Sequence, residues 1–215
     1  MNVSRRRYMG GEEKLPYDAE IQYLRTTNRS RITTDYVPKG DNIVIKAKVK
    51  FENYYGGDIN GWFGNYKDNS SNFFGIRRTS TSDGKSSCSV SNNSRYSDGG
   101  TAHTFTLSII YTIELSKTTL IVNGGTPIQL TNVAGNENNN PIALFIYCPF
   151  AKGTSVGCMV GNIYYFKVED NGVTVLDLIP VRVGTVGYMY DKVSKKMYGN
   201  VGPSNTSFTL GPDVS

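Results

Sequence analysis

Pairs of carboxylates are the side chains of this sequence that could best support catalysis, because retaining glycoside hydrolysis needs two carboxyl groups about 5 Å apart. The acidic clusters available are Glu12-Glu13, Asp18/Glu20 and Glu169-Asp170. They lie in a charged N-terminal stretch, at the start of the strand-rich region and in a predicted turn. None has the Glu-x-Asp-x-x-Glu spacing of a catalytic strand, so the sequence predicts that the protein is not an enzyme.

Histidine and cysteine form no pattern typical of a metal or nucleophile site. His103 is the only histidine, which cannot build a zinc cluster alone, and no nearby Ser-Asp grouping indicates a catalytic triad. The cysteines are Cys88, Cys148 and Cys158. Their odd number, without a Cys-x-x-Cys pair, argues against a disulfide framework or a zinc site. Cys148 and Cys158 are interpreted as buried thiols, and no cofactor is predicted.

Calcium is the one metal that the sequence leaves open. Asp68, Asn69 and Asn72 could offer the oxygen ligands that this ion prefers. Surface turns commonly have the same composition, so an ordinary turn is the simpler interpretation.

An aromatic and amide-rich cluster between residues 54 and 68 is the best candidate for ligand binding. Sugars are often recognised by an exposed aromatic ring together with amide and carboxylate hydrogen bonds. The candidate glycan-binding residues are Trp62, Tyr54, Tyr55, Tyr66, Asn60, Asn65 and Asp68. The alternative is that Trp62 lies in the core, which is the commoner position for such a residue.

The clearest periodicity lies in Asn42–Glu52, where apolar residues alternate with lysines. Ile43, Ile45, Ala47, Val49 and Phe51 share one side, and Lys46, Lys48, Lys50 and Glu52 share the other. Strict alternation of this length predicts a strand with one buried and one solvated face.

Turn residues divide the rest of the chain into further strands. Asn171-Gly172 between Ile163–Val168 and Val173–Ile179 predicts a hairpin, since both residues tolerate positive φ. Pro180 is expected to end the second strand, and Gly184 and Gly187 to let the chain bend. Further predicted strands are Glu20–Thr26, Thr104–Ile113, Lys117–Val122, Thr126–Leu130 after an Asn123-Gly124 turn, Ile142–Tyr147 and Cys158–Phe166. No helical period competes with them, so the pattern indicates a β-sandwich or barrel.

Composition favours one soluble all-β domain of 215 residues with 38% hydrophobic residues. The formal net charge of +5 is interpreted as a solvated strand face plus a flexible tail, with nucleic-acid contact as the weaker alternative. No apolar run reaches the roughly 18 residues of a membrane span, and the basic N-terminus lacks the apolar segment of a signal peptide. Export by that route is therefore not expected.

The last fifty residues carry the longest recognisable motif. They read IYYFKVEDNGVTVLDLIPVRVGTVGYMYDKVSKKMYG over Ile163–Gly199 and LGPD over Leu210–Asp213. This stretch resembles the C-terminal signature of concanavalin A-like (laminin-G-like) jelly-roll domains in tailed bacteriophages of gut Bacteroidetes. The Leu120-x-Val122-x-Gly124 segment is similar to an internal motif of the same family.

The resemblance implies an all-β, two-sheet antiparallel jelly-roll sandwich over residues 17–215. Residues 1–16 are charged and lack a strand period, so they are interpreted as an N-terminal arm that either docks onto the particle or is disordered. The resemblance also implies a structural virion protein, in a head or tail fibre or a surface decoration, that assembles in the host cytoplasm. Expected partners are other virion proteins, a host-surface polysaccharide and further copies of the chain, with a trimer as one option. Neither nucleic acid nor a membrane is an expected partner. The alternative is a bacterial or prophage-encoded carbohydrate-binding module without catalytic activity.

Overall fold

The computed structural model describes residues 15–26, 30–39, 42–55, 60–65, 74–78, 86–88, 103–130, 141–144 and 158–214. These residues form strands and turns, with no helix among them. Within these ranges there is accordingly no helix whose length and apolar character would let it cross a membrane. Most of the predicted N-terminal arm lies outside the described residues.

The described residues form seventeen strands. In chain order they are β1 Ala19–Glu20, β2 Leu24–Thr26, β3 Ile32–Thr33, β4 Ile43–Tyr55, β5 Asn60–Asn65, β6 Phe74–Arg78, β7 Ser86–Cys88, β8 His103–Phe105, β9 Ile110–Leu115, β10 Thr119–Val122, β11 Ile128–Gln129, β12 Ala143–Leu144, β13 Cys158–Asp170, β14 Val173–Val183, β15 Val186–Asp191, β16 Met197–Tyr198 and β17 Phe208–Leu210.

The larger sheet has eleven antiparallel strands, with β4 and β13 at its centre. Its main order is β11-β10-β9-β4-β13-β14-β15-β16, and β1, β2 and β17 join at the side. β2 pairs with β13 and β17, and an isolated bridge joins Ile21 to Asp213. Val214 N donates to Glu20 O at 2.9 Å. The segment of β1 and β2 therefore lies beside the C-terminal segment that contains β17.

A four-stranded sheet in the order β3-β12-β5-β6 packs on the larger one, and β7 and β8 form a two-stranded ribbon. Rings from the two sheets meet between them: Phe63 of β5 lies edge-on to Phe166 of β13, with centroids 5.3 Å apart. One cluster of buried apolar residues contains side chains of both sheets. The described chain is thus an all-β sandwich.

The alternation predicted for Asn42–Glu52 is confirmed by β4. Ile43, Ile45 and Ala47 are fully buried, and Lys46, Lys48 and Lys50 are half-buried. Each large apolar side chain removed from water contributes about 1.5–3 kcal/mol before entropy is subtracted. The lysines therefore mark the outer face of the larger sheet.

Both hairpins predicted from Asn-Gly pairs are confirmed. Asn171 and Gly172 have φ of 50° and 78° between β13 and β14, and Asn123 and Gly124 have φ of 52° and 67° after β10. Positive φ at both central positions gives a turn whose twist matches the flanking strands.

The single strand predicted over Glu20–Thr26 is wrong. The segment forms two short strands because it changes partner: β1 pairs with β14, and β2 pairs with β13 and β17. Ile21 and Leu24 are both buried, whereas Tyr23 is half-buried. The bend between the two strands breaks the side-chain alternation that a single strand would have.

Pro180 does not end its strand as predicted, because β14 continues to Val183. The Pro180 carbonyl accepts a hydrogen bond from Ile21 N at 3.0 Å. In an antiparallel strand the N and O of one residue point to the same side, so the missing N–H lies on the β1 side and leaves the ladder with β15 intact.

Two further predictions near turns are also corrected. Gly187 is a buried strand residue, and a Cβ there would collide with Leu24 and Leu210, so it allows close packing and not a bend. Thr104–Ile113 is interrupted by a turn in which Ser108 has φ of 66°, leaving β8 and β9 as separate strands. Of the predicted strand Ile142–Tyr147, residues 142–144 are described, and they contain β12.

Candidate functional site

Trp62, the centre of the predicted glycan cluster, is a core residue. It is 2% exposed, and its ring stacks on Phe51 of the facing sheet with centroids 3.2 Å apart. Phe105 meets it edge-on at 5.5 Å. Burial on this scale excludes Trp62 as a surface on which a sugar could stack, which confirms the core alternative.

The other described members of the predicted glycan cluster lie on different sheets or at opposite ends of one strand. Tyr54 and Tyr55 end β4 in the larger sheet, whereas Asn60 and Asn65 occupy opposite ends of β5 in the smaller sheet. At about 3.3 Å per residue, the two asparagine Cα atoms are roughly 16 Å apart. Their role in glycan binding stays a prediction. Tyr66 and Asp68 lie outside the described residues, as do the calcium candidates Asn69 and Asn72.

The carboxylates considered for hydrolysis have structural partners. Asp18 accepts a hydrogen bond from Gly184 N at 2.6 Å, and Glu20 accepts one from Tyr17 at 3.1 Å. Asp170 accepts a 2.8 Å hydrogen bond from Tyr36, and burial together with this bond raises the pKa of Tyr36. The hydrogen bonds of Asp18 and Asp170 join segments that lie far apart in the chain. Glu12 and Glu13 lie outside the described residues.

His103 is half-buried in β8 and packs edge-on to Phe105, with ring centroids 4.7 Å apart. Burial lowers the pKa of the imidazole. The described ranges contain no cluster of three or more His, Cys, Asp or Glu side chains that could hold a metal ion.

The outer face of the larger sheet gathers charged and aromatic side chains around the lysines of β4. Neighbouring strands extend each lysine into a cross-strand row: Lys46 is opposite Glu114 of β9 and Lys167 of β13, and Lys48 is opposite Thr112 and Tyr165. We call this surface the lysine–tyrosine face. Its members are Arg25, Lys46, Lys48, Lys50, Glu52, Tyr164, Tyr165, Lys167 and Glu169.

A β-bulge in β13 places two consecutive tyrosines on this face. Ile163 pairs with Val49 and Tyr165 pairs with Lys48, so Tyr164 is an extra residue on the β13 side. Ile163 and Phe166 are buried, but both tyrosines between them are half-buried. A bulge lets neighbouring side chains share a face, which plain alternation forbids.

Contacts fix the position of the Tyr164 ring. Lys48 Nζ lies 5.4 Å from its centroid, within the range of a cation–π interaction. The Tyr23 ring meets it edge-on at 5.5 Å. Asn162 Nδ2 lies 3.4 Å from the Tyr164 hydroxyl oxygen. The ring therefore lies against the sheet, beside the β4 lysines.

Each carboxylate of the lysine–tyrosine face is shared by two cations. Glu169 lies 2.7 Å from Lys167 Nζ and 2.9 Å from Lys46 Nζ, and hydrogen bonds from both lower its pKa. Glu52 lies 2.7 Å from Arg25 Nε and 2.9 Å from Lys50 Nζ. Burial alone would raise the pKa of Glu52, but the hydrogen bonds from Lys50 and Arg25 lower it. These shared pairs fix both glutamates in the outer face.

Lys48 differs from the other cations of the face. Among the described residues no carboxylate forms an ion pair with it, and its ammonium group instead lies over the Tyr164 ring. Five Lys or Arg side chains therefore share this face with two glutamates, and Glu114 adds a third carboxylate opposite Lys46. The face carries an excess of positive charge centred on Lys48.

The sequence predicts the lysines of this face but not its tyrosines. Period-2 alternation identified the solvated side of β4 directly. Tyr164 and Tyr165 are adjacent, so alternation assigns them to opposite faces, and only the bulge brings them together. The signal available beforehand was the unbroken apolar run Ile163–Phe166 with two central tyrosines, which fits no simple period.

Comparison of the chain with family models, with curated proteins and with solved structures finds no match. A functional assignment for this protein therefore depends on its own sequence and on the geometry of its described residues.

Proposed function

We propose that this protein is a structural component of a tailed-bacteriophage particle, in a fibre or a surface decoration, built on a concanavalin A-like jelly roll. The proposal rests on the resemblance of Ile163–Asp213 to the closing segment of such domains. One observation supports it most: this segment supplies the central strand β13 and then β14 to β17, so the motif residues build the sandwich.

Asp191 illustrates the structural use of the motif. It is fully buried at the end of β15, and its carboxylate accepts hydrogen bonds from Asp177 N at 2.9 Å, Val193 N at 3.1 Å and Ser194 N at 3.1 Å. The Ser194 hydroxyl donates a fourth at 2.6 Å. One side chain thus closes the β15–β16 turn and ties it to β14.

Other motif residues close the domain against its first strands. Arg182 donates two parallel hydrogen bonds to Asp213, at 2.7 and 2.6 Å, in the bidentate geometry favoured by guanidinium and carboxylate. Asn200 Oδ1 accepts from Arg31 N at 3.0 Å, and Asn200 Nδ2 donates to Thr206 O at 2.8 Å. Residues used in this way favour a scaffold over a catalytic site.

A carbohydrate-binding module without catalytic activity is the second candidate. The lysine–tyrosine face is the specific observation in its favour, because exposed rings beside hydrogen-bonding groups suit sugars. In the particle, the same face would let the protein contact host-surface glycan while the N-terminal arm holds it to other virion proteins.

Peptide mass spectrometry of gradient-purified particles tests the proposal. We expect the chain at a fixed copy number per particle, and we expect deletion of residues 1–14 to abolish incorporation while the purified domain keeps its thermal midpoint. A chain found only in the host cell fraction, with particles complete without it, would contradict the virion role and favour the free module.

A further inference from the structure

We propose that the lysine–tyrosine face binds an acidic glycan, with a uronic acid carboxylate at Lys48 and a sugar ring on Tyr165. The inference deepens the proposed function, since it rests on a face that contacts glycan. It names the ligand class and places the site away from the predicted cluster around Trp62.

Tyr165 supplies the stacking surface, because the neighbouring Tyr164 ring already lies beneath the Lys48 ammonium group. Both tyrosines lie half-buried on an exposed sheet face, and the contacts with Lys48 and Tyr23 hold the Tyr164 ring in place. A rigid ring loses little conformational entropy when a ligand packs on it. The phenolic hydroxyls add hydrogen bonds at the edge of the surface.

Lys48 supplies the charge that selects an acidic sugar. Lys46, Lys50, Lys167 and Arg25 already interact with Glu169 or Glu52, but Lys48 has no carboxylate partner among the described residues. A ligand carboxylate beside Lys48 would form the charge-assisted hydrogen bond that the other cations have within the protein. The excess positive charge of the face would steer such a ligand toward it.

The two glutamates distinguish a glycan from a nucleic acid. Glu52 and Glu169 have side chains 19% exposed between the cations, so they remain accessible as hydrogen-bond acceptors. Sugar hydroxyls can donate to them, whereas the phosphate backbone of DNA offers only acceptor oxygens. Affinity for nucleic acid also needs several unpaired cations that neutralise phosphates. Among the described cations of this face, Lys48 alone has no carboxylate partner.

Isothermal titration of the purified full chain tests the site with three probes: tetragalacturonate, a neutral galactose tetramer and a dT₁₂ oligonucleotide. We expect tetragalacturonate to bind at least tenfold more tightly than either other probe. Its affinity should fall about threefold or more between 50 and 300 mM NaCl, because salt screens an exposed charge.

Two variants and a matched control locate the site. Lys48→Ala and Tyr165→Ala should each weaken tetragalacturonate binding about tenfold, whereas Lys195→Ala, with the same charge change in the exposed β15–β16 turn, should leave it unchanged. Thermal midpoints within about 2 °C of the parent protein establish that the variants fold. Lys48→Arg, which keeps the charge, should retain at least a third of the affinity.

Each other outcome overturns the inference. Absence of tetragalacturonate binding, equal binding of the neutral tetramer, tighter binding of dT₁₂, or equal effects of Lys48→Ala and Lys195→Ala would each do so. None of these results bears on whether the chain is found in particles. The acidic-glycan site can therefore fail while the virion role stands, and the reverse is also true.

Discussion

Replacing Asp191 by alanine should destabilise the protein more than any other single carboxylate change in the described chain. The carboxylate is fully buried and accepts four hydrogen bonds, three of them from backbone N–H groups. A hydrogen bond to a charged group contributes about 1.5–3 kcal/mol, and an unsatisfied buried donor costs about 1–3 kcal/mol. Val193 and Ser194 are exposed residues, so we expect water to reach their amides in the variant, which leaves Asp177 N as the main unsatisfied donor.

The expected loss is therefore about 3–4 kcal/mol in the free energy of unfolding. For a chain of this size it corresponds to about 10 °C in the thermal midpoint. Urea unfolding followed by the fluorescence of Trp62, the only tryptophan, and by circular dichroism measures the change. Ser194→Ala removes the hydroxyl bond alone and should cost about 1 kcal/mol.

Asp35→Ala is the matched control. Asp35 pairs with Lys196 at 2.5 Å, but their side chains are 65% and 59% exposed, so the change should leave the urea midpoint nearly unchanged. If Asp191→Ala cost no more than Asp35→Ala, the carboxylate would not hold the β15–β16 turn. The structural interpretation of the C-terminal motif would then be wrong.

Two further changes test the sheet itself. Gly75→Ala should cost about 2–4 kcal/mol in the same urea assay, because Gly75 has φ of 155° and a Cβ would collide with the Phe63 carbonyl. Gly124→Ala is the control, since a Cβ there has open space, and it should cost about 1 kcal/mol. Equal losses would refute the close approach of β5 and β6. Glu169→Gln should cost about 0.5–1 kcal/mol at pH 7, the size of an exposed ion pair. Because the folded-state pKa of Glu169 lies below its ordinary value of 4.5, its stabilisation is present above that pH and is lost as the pH falls through the folded pKa. Urea midpoints of parent and variant should therefore converge as the pH falls below that ordinary value, and parallel curves would count against the ion pair.

Local signals in the sequence predicted the centre of the fold well. Strict alternation determined β4, and Asn-Gly pairs at Asn123 and Asn171 determined two hairpins, because each signal depends only on residues next to one another. The mixture of short strands without helical period was enough to predict an all-β sandwich or barrel, and the family resemblance favoured the sandwich.

Features that depend on a distant partner could not be predicted. Glu20–Thr26 divides into two strands because its neighbours, β14, β13 and β17, lie far along the chain. Pro180 stays inside a strand because its missing N–H lies on the β1 side, away from the ladder with β15. Trp62 is buried because Phe51 of the other sheet covers it. Each outcome depends on tertiary pairing, which overrides local propensity.

The candidate site likewise has one part that local sequence predicts and one part that depends on strand pairing. Lys48 and its neighbours follow from the period of β4, but the contribution of Tyr164 requires the one-residue register shift in β13. A bulge leaves no composition signal of its own, so the aromatic half of the site emerges only from the pairing of two long strands.

The adjacency of the first and last described segments has a mechanical consequence. Segments attached before residue 15 and after residue 214 would leave the domain from one edge, where Glu20 pairs with Val214 and Ile21 with Asp213. Tension between them would unzip the terminal pairing one hydrogen bond at a time, instead of shearing a whole ladder at once. A carrier protein could accordingly host this domain as an insertion in a surface loop without stretching its own backbone.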